Sequence, residues 1–139
     1  MLHWLYDPKR QIRRFAEENV KPKPKPVTNL RILEVINMAS NNGMKQSDID
    51  SLAEELKAEF LEKPKNSIEK AEQLLYLMEI LLDDLNFDAA EKDFLKEFSV
   101  NIGFPITKSP QIIREAYNNL KIETPHNEIS QLIVQMLDN

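Results

Sequence analysis

Apolar residues recur every three to four positions from about residue 30 to residue 137, in blocks separated by proline, glycine or helix-capping residues. This spacing places the apolar side chains of each block on one face of an α-helix. No segment of strand length alternates apolar and polar residues in a sustained way. The pattern predicts an all-α fold, a helical bundle of about six to seven helices.

Local signals place the ends of the predicted helices. The first block runs from Thr28 to Gly43, and the second begins at Ser47, an N-cap with Asp50 three residues later, passes through Phe60 and ends at Pro64. The remaining four blocks begin at Ser67, Asp88, Ser109 and Pro125. The block after Ser67 has the densest apolar content, which predicts the central and most buried helix. Gly103 stands where a glycine commonly follows a helix end.

The first 26 residues differ from the rest in composition. Asp7-Pro8 is typical of a helix start, which predicts a helix over about 8–19. The alternating lysines and prolines of 21–26 favour an extended polyproline II spacer. We therefore divide the chain into a basic N-terminal helix plus Lys/Pro spacer (1–26) and an all-helical domain (27–139).

Charge and residue content exclude several functions. The net charge of −5 is the sum of +4 over residues 1–26 and −9 over the remainder, so only the N-terminal segment could attract nucleic acid, and we expect none to bind. The absence of cysteine excludes thiol catalysis and cysteine-ligated metals, and two glycines cannot build a phosphate loop. No nucleophile–base arrangement is present, so we expect no enzyme.

The chain contains no apolar run approaching the ~20 residues of a membrane-spanning helix. Its first residues lack the basic region and the small-residue cleavage site of a signal peptide. We therefore expect a cytoplasmic location.

An acidic turn is the most distinctive local feature. Four acids, Asp83, Asp84, Asp88 and Glu91, fall within nine residues around a predicted interhelical corner. Carboxylates held this close repel one another, and a hard divalent cation such as calcium or magnesium would relieve the repulsion. The turn is not an EF-hand, because Ala89 replaces the glycine and Leu95 the final glutamate that such a loop requires.

Each acid also has a purely structural interpretation. Asp88 and Glu91 have the spacing of a capping box. Asp83 and Asp84 end a predicted helix, where the helix dipole disfavours negative charge, so they do not stabilise the helix. They either lie in a solvated turn or bind a metal. The acids that follow Ser47, Asp48 and Asp50, are interpreted as first-turn acids.

A shift of 42 residues aligns two helical hairpins. Val35 then matches Leu77, Leu52 matches Phe94, and Leu56 matches Phe98. Leu33 matches Leu75 and Ala53 matches Leu95 in the same way. Either two amphipathic hairpins align by chance, or a duplicated hairpin packs with approximate two-fold symmetry. The second alternative predicts that both interhelical turns lie close together at one end of the bundle.

The segment from Asp84 to Glu91 resembles the signature hairpin of the TerB-like tellurite-resistance family, in which an aspartate, a capping residue and a glutamate join two apolar helices. The resemblance covers roughly residues 28–104 and includes the hairpin at 38–50. It implies a helical bundle of two pseudo-symmetric halves, divalent metal bound at clustered acids, and a stress-response role without established catalysis. The first hairpin departs from the pattern, because Asn42 stands where the family has an aspartate.

Residues 1–26 support a second, metal-free function. Their basic amphipathic helix, with Trp4, Ile12 and Phe15, could dock on a protein partner, on a second copy of the chain or on an anionic membrane surface. It could equally pack on its own bundle. The sequence therefore leaves open a cation-binding domain and an interaction module.

Overall fold

The structure is a computed structural model that describes residues 30–56, 60–82 and 87–139. These ranges contain six helices: α1 (Ile32–Asn41), α2 (Gln46–Glu55), α3 (Ser67–Leu81), α4 (Ala89–Asn101), α5 (Ser109–Lys121) and α6 (His126–Asp138). The prediction of an all-α bundle is confirmed. The N-terminal segment 1–26, with its predicted helix and spacer, lies outside the described residues.

One short antiparallel ladder corrects the prediction for the second helix. Strands β1 (Leu30–Arg31) and β2 (Phe60–Leu61) pair with Leu30 opposite Leu61. The helix that we expected to pass through Phe60 ends at Glu55 instead. The backbone leaves the helical region at Leu56, with ψ at 81°. Leu30 and Leu61 both pack against the core, so a tertiary contact stabilises a pairing too short to leave an alternating pattern in the sequence.

Four of the six predicted helix starts are confirmed and two are wrong, since α1 begins at Ile32, after strand β1, and not in the block that starts at Thr28. Helices α3 to α6 begin at or directly after Ser67, Asp88, Ser109 and Pro125. Helix α2 begins at Gln46, and the residue preceding it, Lys45, makes no side-chain cap hydrogen bond. Asp48 lies in the first turn of α2 and is buried together with Leu52, one helical turn later.

Three helices end in the same hydrogen-bond arrangement, the Schellman motif. After α1, Gly43 N–H donates to Ser40 O, and Met44 N–H donates to Ala39 O. The ends of α4 at Gly103 and of α5 at Glu123 repeat it. All three residues have positive φ, 79° at Gly43, 112° at Gly103 and 60° at Glu123. The predicted role of Gly103 at a helix end is confirmed.

Helix α3 is the centre of the bundle, as its composition predicted. It packs against α2, α4, α5 and α6. Its buried residues are Ala71, Leu74, Leu75, Leu77, Met78 and Leu81. In the described part of the chain, every helix is too short or too polar to cross a bilayer.

The first four helices form two hairpins, α1–α2 and α3–α4, that exchange equivalent contacts. Helix α1 packs on α4, and α2 packs on α3. Two-fold related hairpins would make this pair of contacts. The aligned pairs Val35/Leu77, Leu52/Phe94 and Leu56/Phe98 are all buried. The match is partial, because Leu33 is 62% exposed whereas Leu75 is buried.

Candidate metal centre

The start of α4 is closed by the predicted capping box. Asp88 N–H donates to Glu91 Oε1 at 2.8 Å. Glu91 N–H in turn donates to Asp88 Oδ1 at 2.8 Å. Both carboxylates thus satisfy backbone donors that a helix start leaves unpaired. Asp88 is exposed at the surface, whereas the Glu91 side chain is completely buried.

A third carboxylate approaches from the other hairpin. Asp48, in the first turn of α2, is 9% exposed. One oxygen from each of Asp48, Asp88 and Glu91 can be chosen so that all three lie within 4.8 Å of one another. The first turns of α2 and α4 therefore lie close together. The internal alignment predicted this proximity for the two interhelical turns.

Sequence reasoning missed the part that Asp48 plays in this cluster. Asp48 is a first-turn acid, as interpreted, but it also faces the other hairpin. Its spacing of four residues from Leu52 was the available signal, because residues four apart share a helix face. Asp50, by contrast, accepts a hydrogen bond from Gln46 within its own helix and lies outside the cluster.

Two oxygens of the cluster have no hydrogen-bond partner. Asp48 Oδ2 and Glu91 Oε2 are buried, and no donor within the described residues reaches either atom. An unsatisfied buried acceptor costs roughly 1–3 kcal/mol, and more when the group is charged. A proton shared by the two oxygens, or a cation bound by both, would satisfy them.

The electrostatics of Glu91 favour a proton when no cation is present. The pKa of Glu91 is raised from 4.5 to about 8, first by burial and next by the hydrogen bond that its protonated form can donate to Asp48. The negative charges of Asp48 and Asp88 act in the same direction, while the backbone hydrogen bond from Asp88 lowers the pKa. At neutral pH the Glu91 carboxyl is accordingly protonated and can donate to Asp48.

The donor set is suited to a hard cation. The cluster offers three carboxylates and no nitrogen or sulfur atom. Calcium takes six to eight oxygen ligands and magnesium six, part of which are usually water. Asp83 and Asp84, the other two predicted ligands, lie outside the described residues, and their role stays a prediction.

A scan of the chain against protein-family models, and searches of the curated proteins and of the solved structures, gave no match. The resemblance to the tellurite-resistance family therefore stays a prediction, based on the residues quoted above.

Proposed function

We propose that this chain is a non-enzymatic, TerB-like helical domain that binds one divalent cation, calcium or magnesium, between its two hairpins. Asp48, Asp88 and Glu91 are the ligands within the described residues. The observation that supports the proposal is the pair of buried, unpartnered oxygens on Asp48 and Glu91. Asp83 and Asp84 are proposed as further ligands, since they precede Asp88 by only five and four residues. The role that goes with this family resemblance is in stress response.

A cation and a proton compete for the same place. The proton on Glu91 neutralises one carboxylate and leaves the charges of Asp48 and Asp88 in place. A divalent cation displaces that proton and balances the negative charge of the cluster more completely. Binding should therefore release a proton whenever the pH lies below the pKa of Glu91, about 8.

The test is calorimetric titration of metal-free protein with calcium, magnesium or manganese across a pH series. The apparent association constant should rise by up to about tenfold per pH unit below pH 8 and level off above it. The variant Glu91→Gln keeps an oxygen for the capping box but removes the charge, and it should not bind. Absence of heat and of thermal stabilisation with millimolar metal would refute the proposal.

Two further variants sharpen this experiment. Asp93→Asn removes an exposed acid from the same helix, where it pairs with Lys96, and should leave binding unchanged. Asp84→Asn should weaken binding if that residue contributes a ligand. Equal affinities of Asp93→Asn and Glu91→Gln would show that only net charge matters, which contradicts a specific site.

A second candidate function is that of an interaction module, in which the basic segment 1–26 docks on a surface. An acidic groove between α3 and α6 supports this function. The groove has a volume of about 500 Å³ and is lined by Ile68, Glu72, Tyr76 and Glu79 on its α3 side. Ile68 is 42% and Tyr76 43% exposed, so the groove combines apolar surface with two carboxylates, of which Glu79 contacts His126 on the α6 side. A basic amphipathic helix has the complementary character.

The strand that pairs with β1 leads into a segment that contacts α3, one wall of this groove. Leu30 pairs with Leu61 in the β-ladder. Gln73 Nε2 of α3 donates to Glu62 O, directly after that strand, at 2.8 Å. We propose that residues 1–26 dock in the α3–α6 groove of their own chain, and that a partner which competes for the groove exposes them.

Trp4 provides the measurement, because it is the only tryptophan of the chain. In the double variant Glu72→Gln/Glu79→Gln, the emission of Trp4 should shift to the red and acrylamide should quench it more strongly than in the wild type. The control Asp93→Asn/Glu115→Gln carries the same charge change outside the groove and should behave like the wild type. Equal quenching in all three proteins would contradict docking.

A further inference from the structure

A cleft between α4 and α5 is lined by basic and aromatic residues, in contrast to the acidic cluster of the candidate metal centre. It has a volume of about 380 Å³. Six of its lining residues are Phe87, Lys92, Lys96, Ile113, Arg114 and Tyr117. This volume lies in the range of pockets that hold small molecules.

The charged residues that line the cleft are all cations, although the chain as a whole carries −5. Lys96 pairs with Asp93 at 3.3 Å, but both side chains are about half exposed, and such surface pairs contribute little. Within the described ranges, Lys92 and Arg114 have no ion pair. Two of the three cations that line the cleft therefore lie outside any ion pair of the described residues.

Helices α4 and α5 form the two walls of the cleft, and a contact at their junction fixes which residues lie opposite one another. The buried hydroxyl groups of Ser99 and Ser109 hydrogen-bond to each other where α4 ends and α5 begins. Because the two helices join there through a short loop and pack side by side, Lys92 and Lys96 of α4 lie opposite Ile113 to Tyr117 of α5. Cationic groups therefore approach the cleft from both helices.

The floor of the cleft is aromatic and apolar. The ring of Phe87 lies 4.6 Å from that of Tyr117, centroid to centroid, at an interplanar angle of 34°. Phe87 and Ile113 are buried, whereas Tyr117 is partly exposed, and the Nζ atom of Lys121 lies 5.2 Å from the centroid of its ring. A flat ring can pack against the apolar side chains of this floor, and the guanidinium of Arg114 can bind an oxyanion through two parallel hydrogen bonds.

We propose that this cleft binds a small aromatic anion, a flat ring carrying one phosphate or carboxylate group. The ring lies against Tyr117 and Ile113, and the anionic group lies between Lys92 and Arg114. This assignment does not depend on the cation site, and its test is carried out in excess chelator, so the two proposals can fail separately.

The test compares three probes on the full chain: naphthyl phosphate, the neutral naphthol and inorganic phosphate. Naphthyl phosphate should bind measurably by calorimetry and shift the methyl NMR signal of Ile113. Naphthol and inorganic phosphate should each bind at least about tenfold more weakly, because each lacks one half of the interaction.

Variants at exposed positions separate the cleft from general charge. Arg114→Gln and Lys92→Gln should each weaken naphthyl phosphate binding by about tenfold. Lys65→Gln, the control, removes the same charge from the loop before α3 and should have no effect. Circular dichroism checks that each variant is folded.

Four results would overturn the assignment. Equal affinity for naphthol would show that charge is irrelevant, and equal affinity for inorganic phosphate would show that the aromatic floor is irrelevant. An equal loss in Lys65→Gln would show non-specific attraction to lysine-rich surface. Absence of naphthyl phosphate binding at millimolar concentration would also refute it.

Discussion

Glu91 combines two functions in one side chain. Its Oε1 atom accepts the Asp88 N–H and closes the start of α4, while its Oε2 atom lies buried beside Asp48 without a donor. A capping residue is usually placed at the surface, where its charge stays solvated. Here the cap is also the most buried acid of the described chain, with no exposed surface at all. The same residue therefore fixes the helix start and makes the carboxylate cluster sensitive to pH.

The stability of the metal-free protein should fall as the pH rises. The Glu91 pKa is raised from 4.5 to about 8 in the folded chain, so the folded state binds this proton more tightly than the unfolded state does. This contribution is complete below about pH 4.5 and is lost as the pH rises through 8. Between those values the free energy of unfolding should decrease by up to about 1.4 kcal/mol per pH unit.

Urea unfolding in chelator at several pH values measures this effect. Glu91→Gln places an amide where the protonated carboxyl stands, so it can donate to Asp48 at every pH. This variant should lose the pH dependence and exceed the wild type in stability at the alkaline end. Asp93→Asn should keep the wild-type profile. Parallel profiles for the wild type and Glu91→Gln would show that Glu91 is not the titrating group.

At the scale of single elements, the repeated Schellman ends of α1, α4 and α5 determine how each helix leads into the next. At the end of α1, positive φ at Gly43 turns the backbone so that the next residue, Met44, is buried under the core. The corresponding step at Gly103 buries Phe104. Glycine adopts this conformation without a Cβ penalty, whereas Glu123 at the end of α5 does not.

Reciprocal substitutions test this account. Gly43→Ala should lower the free energy of unfolding by about 1 kcal/mol, although a Cβ there would meet no atom within 4 Å, because the cost lies in the backbone conformation. Glu123→Gly should raise it by a comparable or smaller amount, since φ is 60° at that position. Urea denaturation of both variants gives the two values. A stabilising Gly43→Ala would contradict the conformational explanation.

At the scale of the whole molecule, the packing of the two hairpins creates the candidate metal centre. The contacts of α1 with α4 and of α2 with α3 bring the first turns of α2 and α4 together. Asp48 and Asp88 are 40 positions apart in the chain, yet they offer oxygens to the same point. The basic cleft arises in the same way from α4 and α5, so both candidate sites lie between helices and neither belongs to one helix.

Helical periodicity and capping residues predicted the all-α class, the central helix α3, four helix starts and the capping box of Asp88 and Glu91. These features depend on interactions within about four residues, and such interactions leave a pattern in the sequence. The end of α2 and the β-ladder were not predicted, because Leu30 and Leu61 meet only after the chain has folded back.

The position of Asp48 was missed for the same reason. Its residue type and spacing mark it as a first-turn acid, and only the approach of the second hairpin buries it against Glu91. That burial removes the water that would otherwise solvate both carboxylates, and it turns a helix cap into a candidate cation site.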